Sequence, residues 1–139
     1  MANTGHDWGA WAFVADADPS DWNAEALADA ATETSGTAIS LDKKSACIIG
    51  VGLYEDNTGA IDGVVTVYVL GETDVAYEQT DIGNAWSFTI TPVQNDTVYT
   101  QFAIDPTHYD NFKIAVENQG GQELAVTVKY KTADVPVAS

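Results

Sequence analysis

The chain has 139 residues, with 21 acids against 5 lysines, no arginine and a formal net charge of -16. That length suits one domain, and an apolar share of 45% with 10% aromatics supplies a core and excludes wholesale disorder. No run nears the roughly 20 apolar residues of a membrane span, and phosphate binding needs clusters of Lys and Arg that this chain lacks. Neither a membrane nor a nucleic acid is expected as a partner.

The start, Met1 to Asp7, has no basic region and no apolar h-region, so no secretory signal is expected. Cys47 is the single cysteine and cannot form an internal disulfide. It lies in the apolar run Ser45 to Val51, where a small buried hydrophobe is expected, consistent with a reducing compartment. The negative charge reads as solubility, as salt adaptation, or as a complement to an electropositive partner.

Residues 1–36 form an N-terminal arm with seven acids, no lysine and three of the four tryptophans. The arm is expected to be irregular or partly helical. A first strand is expected at Trp8 to Val14, and Ser20 to Ala31 reads either as a capped, Ala-rich helix or as an irregular arm. Residues 37–139 read as an all-β domain. A short strand is expected at Thr37 to Leu41. In the next, Cys47, Ile49, Val51 and Leu53 alternate with Ile48, Gly50, Gly52 and Tyr54, leaving both faces apolar.

After the turn at Asp56 to Gly59, Val64 to Leu70 repeats that pattern. Strands of this kind are covered on both faces, by a second sheet or by a neighbouring subunit. Trp86, Phe88 and Ile90 then alternate with polar residues, as do Phe102 and Ile104. Phe112, Ile114 and Val116 follow, and then Leu124, Val126, Val128 and Tyr130. About eight strands result, which suit a two-sheet β-sandwich with jelly-roll topology.

If the last two strands pair antiparallel, their inward sets face each other only across an odd loop, most simply Gly120-Gly121-Gln122 with a left-handed glycine. That register sets Lys113 opposite Lys129, with Lys131 close by. Three of the five lysines would then share one outer face. Such a face reads either as locally neutralised by Glu117 and other acids, or as a docking surface for an acidic neighbour.

No catalytic constellation emerges. The two histidines, His6 and His108, lie far apart, and no serine sits in a Gly-x-Ser-x-Gly elbow. One cysteine and two such histidines match no zinc spacing. Asp16 to Asp21 begins like a calcium loop but lacks the glycine at its sixth position and the acid at its twelfth. Glu55 to Gly59 with Asp62 could offer oxygens, as turns commonly do. No phosphate loop or dinucleotide fingerprint is present. No catalytic residue, metal ligand or cofactor is therefore assigned. The tryptophans and tyrosines read as core or interface residues, or alternatively as a sugar-stacking platform.

The stretch Phe102 to Asn118, followed by Gly120-Gly121 and Leu124 to Tyr130, resembles small β-sandwich structural proteins of tailed bacteriophages, including capsid decoration (cement) proteins. The likeness lies in an Asp-Pro-x-x-Tyr turn, a Phe-Lys strand and a Gly-containing hairpin. It implies a non-enzymatic virion protein, assembled in the host cytoplasm as a homotrimer, that binds a major capsid protein and stabilises the shell. Trp8, Trp11, Trp22, Lys113, Lys129 and Lys131 are then the candidate partner contacts. The alternative expectation is a small carbohydrate-binding module or receptor-binding fibre domain that uses exposed aromatics.

Overall fold

A computed structural model describes residues 7–14, 22–36, 38–55, 60–73, 77–78, 86–107 and 109–135. All of its regular elements are strands, and every strand pairing is antiparallel. The first sheet is built on two long central strands, β6 (Lys44–Tyr54) and β12 (Leu124–Asp134). The edge strand β10 (Thr97–Ile104) pairs with the far side of β6. The far side of β12 takes three short segments, β1 (Asp7–Trp8), β2 (Ala12–Phe13) and β3 (Glu25–Leu27).

The second sheet pairs β7 (Val65–Thr73) with β11 (Asn111–Asn118). Its outer ribbons are β4 (Thr32–Thr34) and β5 (Ile39–Ser40) beside β11, with β8 (Tyr77–Glu78) and β9 (Trp86–Ile90) beside β7.

Short segments lying along one neighbour act as one ribbon, so each sheet has four. The chain crosses between sheets at nearly every connection, and the resulting strand order is that of a jelly roll. The described segments of residues 7–36 supply outer ribbons of both sheets. No helix occurs among the described residues. Of the two readings of Ser20 to Ala31, helix or irregular arm, the helix does not form over the described part, which holds β3 and turns. Ala24 and Ala30 there adopt positive φ (53° and 65°), which breaks any helical run.

The period-two pattern sends Cys47, Ile49, Val51, Leu53, Val126 and Val128 inward from the first sheet. They meet Val65, Val67, Val69, Phe112, Ile114 and Val116 of the second, and all are buried. Trp22, expected at an interface, is instead 1% exposed within this core. Its backbone N–H donates to the Val14 carbonyl at 2.9 Å and its carbonyl accepts from Val128 at 3.0 Å, which ties the arm to β12. Trp86, on the same strand face as buried Ile90, is itself 48% exposed. It stacks with Phe88 and Phe102, whose centroids lie 4.4 Å apart, where β9 and β10 meet between the sheets.

The expected hairpin of β11 and β12 does not form, because these strands lie in opposite sheets. Alternation alone cannot separate the two cases. The same inward sets face each other whether two strands pair side by side or stack across a core. Lys113 consequently pairs with Leu70, and Lys129 with Gly50, on opposite faces of the molecule.

The connection between them contains Gly121 at φ 93°, the left-handed glycine expected there. Buried Asn118 organises this crossing. Its Nδ2 donates to the carbonyls of Leu27 (3.0 Å) and Gln122 (2.7 Å), while its Oδ1 accepts from Gly120 at 3.0 Å.

Replacing Asn118 by alanine removes three hydrogen bonds to backbone groups, two of them buried. Urea denaturation is expected to report a loss of about 2–4 kcal/mol. Burial pushes the Cys47 thiol up to about 12, whereas an unfolded cysteine ionises near about 8.5. The unfolded chain therefore loses its thiol proton first, and stability falls as pH rises above that value. Labelling of Cys47 by a disulfide reagent at pH 8 is expected to track unfolding, and Cys47→Val should flatten the alkaline decline.

Candidate functional site

The outer face of the first sheet carries a cleft of about 600 Å³. Its floor is β6, whose alternate residues Gly50 and Gly52 point outward between two taller strands. The register aligns Gln101, Gly50, Lys129 and Phe13 in one row across the sheet. A second row holds Tyr99, Gly52 and Thr127, and the Thr127 hydroxyl accepts from the Ala24 N–H at 3.0 Å.

The glycines make the cleft. A Cβ on Gly52 would stand 3.0 Å from the Tyr99 ring, and one on Gly50 would stand 3.7 Å from the ring of Trp11. Tyr99 from β10 and Trp11 from the arm therefore rest against bare backbone, on either side of the floor. They stay wet, at 79% and 40% exposure. Tyr54, itself half-exposed, lines the cleft as well. Asn23, Gln101 and Thr127 add amide and hydroxyl groups.

The cations are placed by aromatic rings. The Lys129 Nζ lies 4.9 Å from the Phe13 ring centroid. The Lys131 Nζ is held between Trp8 and Trp11, at 4.8 and 5.0 Å. Each such contact is worth about 0.5–1 kcal/mol at an exposed site. They fix the arm, which shares few ladder bonds with β12. A shallower depression lined by Trp8, Ile48, Ala103 and Pro106 lies on the same face.

The opposite outer face differs in character. There the Tyr68 hydroxyl donates to Glu117 Oε1 at 2.9 Å, and its pKa is raised, first by desolvation and then by Glu117. Lys113 lies on this second face, so the expected cluster of three lysines is divided. Lys129 and Lys131 join Trp8 and Trp11, Lys113 stands apart, and Trp22 belongs to the core.

His6, His108 and the segments 16–21 and 56–59 lie outside the described residues. No group of three metal-ligating side chains occurs among those described. The glycine contribution to the cleft was missed in sequence, whereas the tyrosines already stood among the candidates for a sugar-stacking platform. Gly50 and Gly52, at alternate positions of a strongly apolar strand, were the available signal, because glycine there marks close approach of another group.

No protein-family model and no curated protein matches the sequence. Among solved structures, a family 16 carbohydrate-binding module is similar at 12% identity and a TM-score of 0.46, over 74% of this chain and 70% of that one. The CBM22-1 xylan-binding domain from Paenibacillus barcinonensis Xyn10C shares 11% identity at a TM-score of 0.43, over 99% of this chain and all of that one. An arabinose-bound GH51 α-L-arabinofuranosidase aligns at 13% identity and a TM-score of 0.46, over 88% of this chain but only 20% of that one. Likeness at this level says nothing of what this chain binds.

Filling the floor should disturb the cleft without opening the core. Gly52→Val is expected to displace the Tyr99 ring from the sheet and lower its protection from solvent. Iodination or nitration of Tyr99, compared with the parent protein, checks this.

Proposed function

We propose that this chain is a non-catalytic carbohydrate-binding domain whose ligand lies in the cleft on the outer face of the first sheet. One observation carries the reading. Two outward glycines of β6 leave bare floor beside Trp11 and Tyr99, whose rings stay exposed to solvent. Pyranose rings have apolar C–H faces that suit aromatic platforms, and their hydroxyls suit amide groups such as those of Asn23 and Gln101. The cleft is open along the face, so a chain rather than a single enclosed sugar fits it. Its lining groups stack, donate and accept. A cleft this open stays partly wet, which favours modest affinity.

A second reading keeps one observation of its own. The partly exposed Trp8–Lys131–Trp11 cluster, with its aromatic and cationic groups, would suit a protein neighbour as well as a sugar. In this reading the chain is a homo-oligomeric virion protein bound to a capsid subunit. Light scattering after size exclusion separates the two. A trimer persisting at low and high salt favours the virion reading, and a monomer favours the glycan reading.

The glycan reading is tested by titrating soluble oligosaccharides while following tryptophan fluorescence. Trp11→Ala and Tyr99→Ala are each expected to weaken binding roughly tenfold, the size of one lost aromatic contact. The melting temperature should stay within a few degrees of the parent. Full affinity in both variants would remove the cleft from consideration.

A further inference from the structure

We infer that the ligand of this cleft is a carboxylate-bearing glycan, a polysaccharide containing uronic acid, and that Lys129 selects it. The inference rests on the glycan-binding reading and concerns the same cleft. It starts from an imbalance of charge. The whole chain has 21 acids and 5 lysines, yet among the described residues lining the cleft the one charged side chain is Lys129. Neither outward row of β6 and β10 contributes a charge, since their positions are Gly50, Gly52, Tyr99 and Gln101. The next outward residue on β12, Lys131, is also cationic.

Position gives the cation a task. Lys129 stands in the row Gln101–Gly50–Lys129–Phe13, at the level of the glycine floor. The Phe13 ring beneath its ammonium occupies one side and limits its rotamers. An ammonium carries three N–H donors, and the ring leaves some of them for the cleft. Across the floor, the Gln101 amide can bond a neutral hydroxyl of the same sugar. A carboxylate beside Lys129 would form a charge-assisted bond, stronger than the hydroxyl contact available to a neutral sugar.

The rest of the surface sharpens this choice. With a net charge of -16, the protein repels an anionic chain at most approaches. Screening confines that repulsion to about 8–10 Å at ordinary ionic strength, while a direct contact at the floor keeps its strength. Acids elsewhere therefore disfavour misplaced binding and leave this face as the permitted one. Asp105 lines only the shallower depression, where its Oδ1 already accepts from the N–H and hydroxyl of Thr107.

Calorimetry with two matched pairs tests the inference at constant ionic strength. One pair is an oligogalacturonate and its full methyl ester, and the other is a glucuronic-acid-branched xylo-oligosaccharide and its linear neutral counterpart. In at least one pair the acid form is expected to bind about fivefold tighter, the size of a favourable surface ion pair. Lys129→Gln should erase that difference by weakening the acid form more than its neutral counterpart. Lys113→Gln, on the opposite sheet, should preserve it.

Equal affinities within each pair, or a preference that survives Lys129→Gln, would overturn the inference while sparing the glycan-binding reading. Equal losses for both members of a pair would make Lys129 a general contact and also overturn it. Tighter binding of a sulfated oligosaccharide than of either uronate would reject the carboxylate. Absence of binding to all four sugars would sink both readings.

Discussion

Strand β6 carries two incompatible surfaces, and the pleat of the backbone is what lets it do so. Its odd-numbered residues, Cys47 to Leu53, must be large and apolar to meet the second sheet. Its even-numbered Gly52 must stay small, because a Cβ there would stand 3.0 Å from the Tyr99 ring, while a Cβ on Gly50 would stand 3.7 Å from Trp11. Successive side chains point to opposite faces, so both demands are met within seven residues. Glycine in a strand interior costs roughly 0.5–1 kcal/mol relative to alanine. Flanking by β10 and β12 along the length of β6 offsets that cost and keeps the floor flat between them.

The arm depends on this arrangement. Its ladder contacts to β12 are short, and it is held as much by Trp22 in the core and by rings over Lys129 and Lys131 as by backbone pairing. Both lysines therefore have a structural role, and Lys129 faces the cleft at the same time. The salt bridge of Lys44 to Asp134, at 2.6 Å, sits on the surface, where such pairs contribute little. Packing, not ion pairing, holds a protein whose charges mostly repel.

The most instructive difference between sequence pattern and structure concerns β11 and β12. Each has a clean inward set, and each set is buried as alternation requires. Pairing them in one sheet was the simplest reading of adjacent strands with a glycine loop. In the jelly roll they stack instead, and Asn118 satisfies the polar groups of the crossing. Moving β12 to the other sheet separates Lys113 from Lys129 and brings Lys129 to the cleft.

What the sequence by itself determined is the class of fold, the inward face of most strands and the burial of Cys47. These follow from local alternation and from composition, which any window of the chain displays. It also marked the left-handed glycine at the β11–β12 connection, since turn chemistry is local. Only the tertiary structure decided that Trp22 is core, that Trp86 stands half-exposed at an edge, and that Trp11, Tyr99, Gln101 and Lys129 share one cleft. The four cleft residues come from two strands and a loop far apart in sequence. Their meeting depends on strand order, and period-two alternation is the same for every order in which strands can be laid.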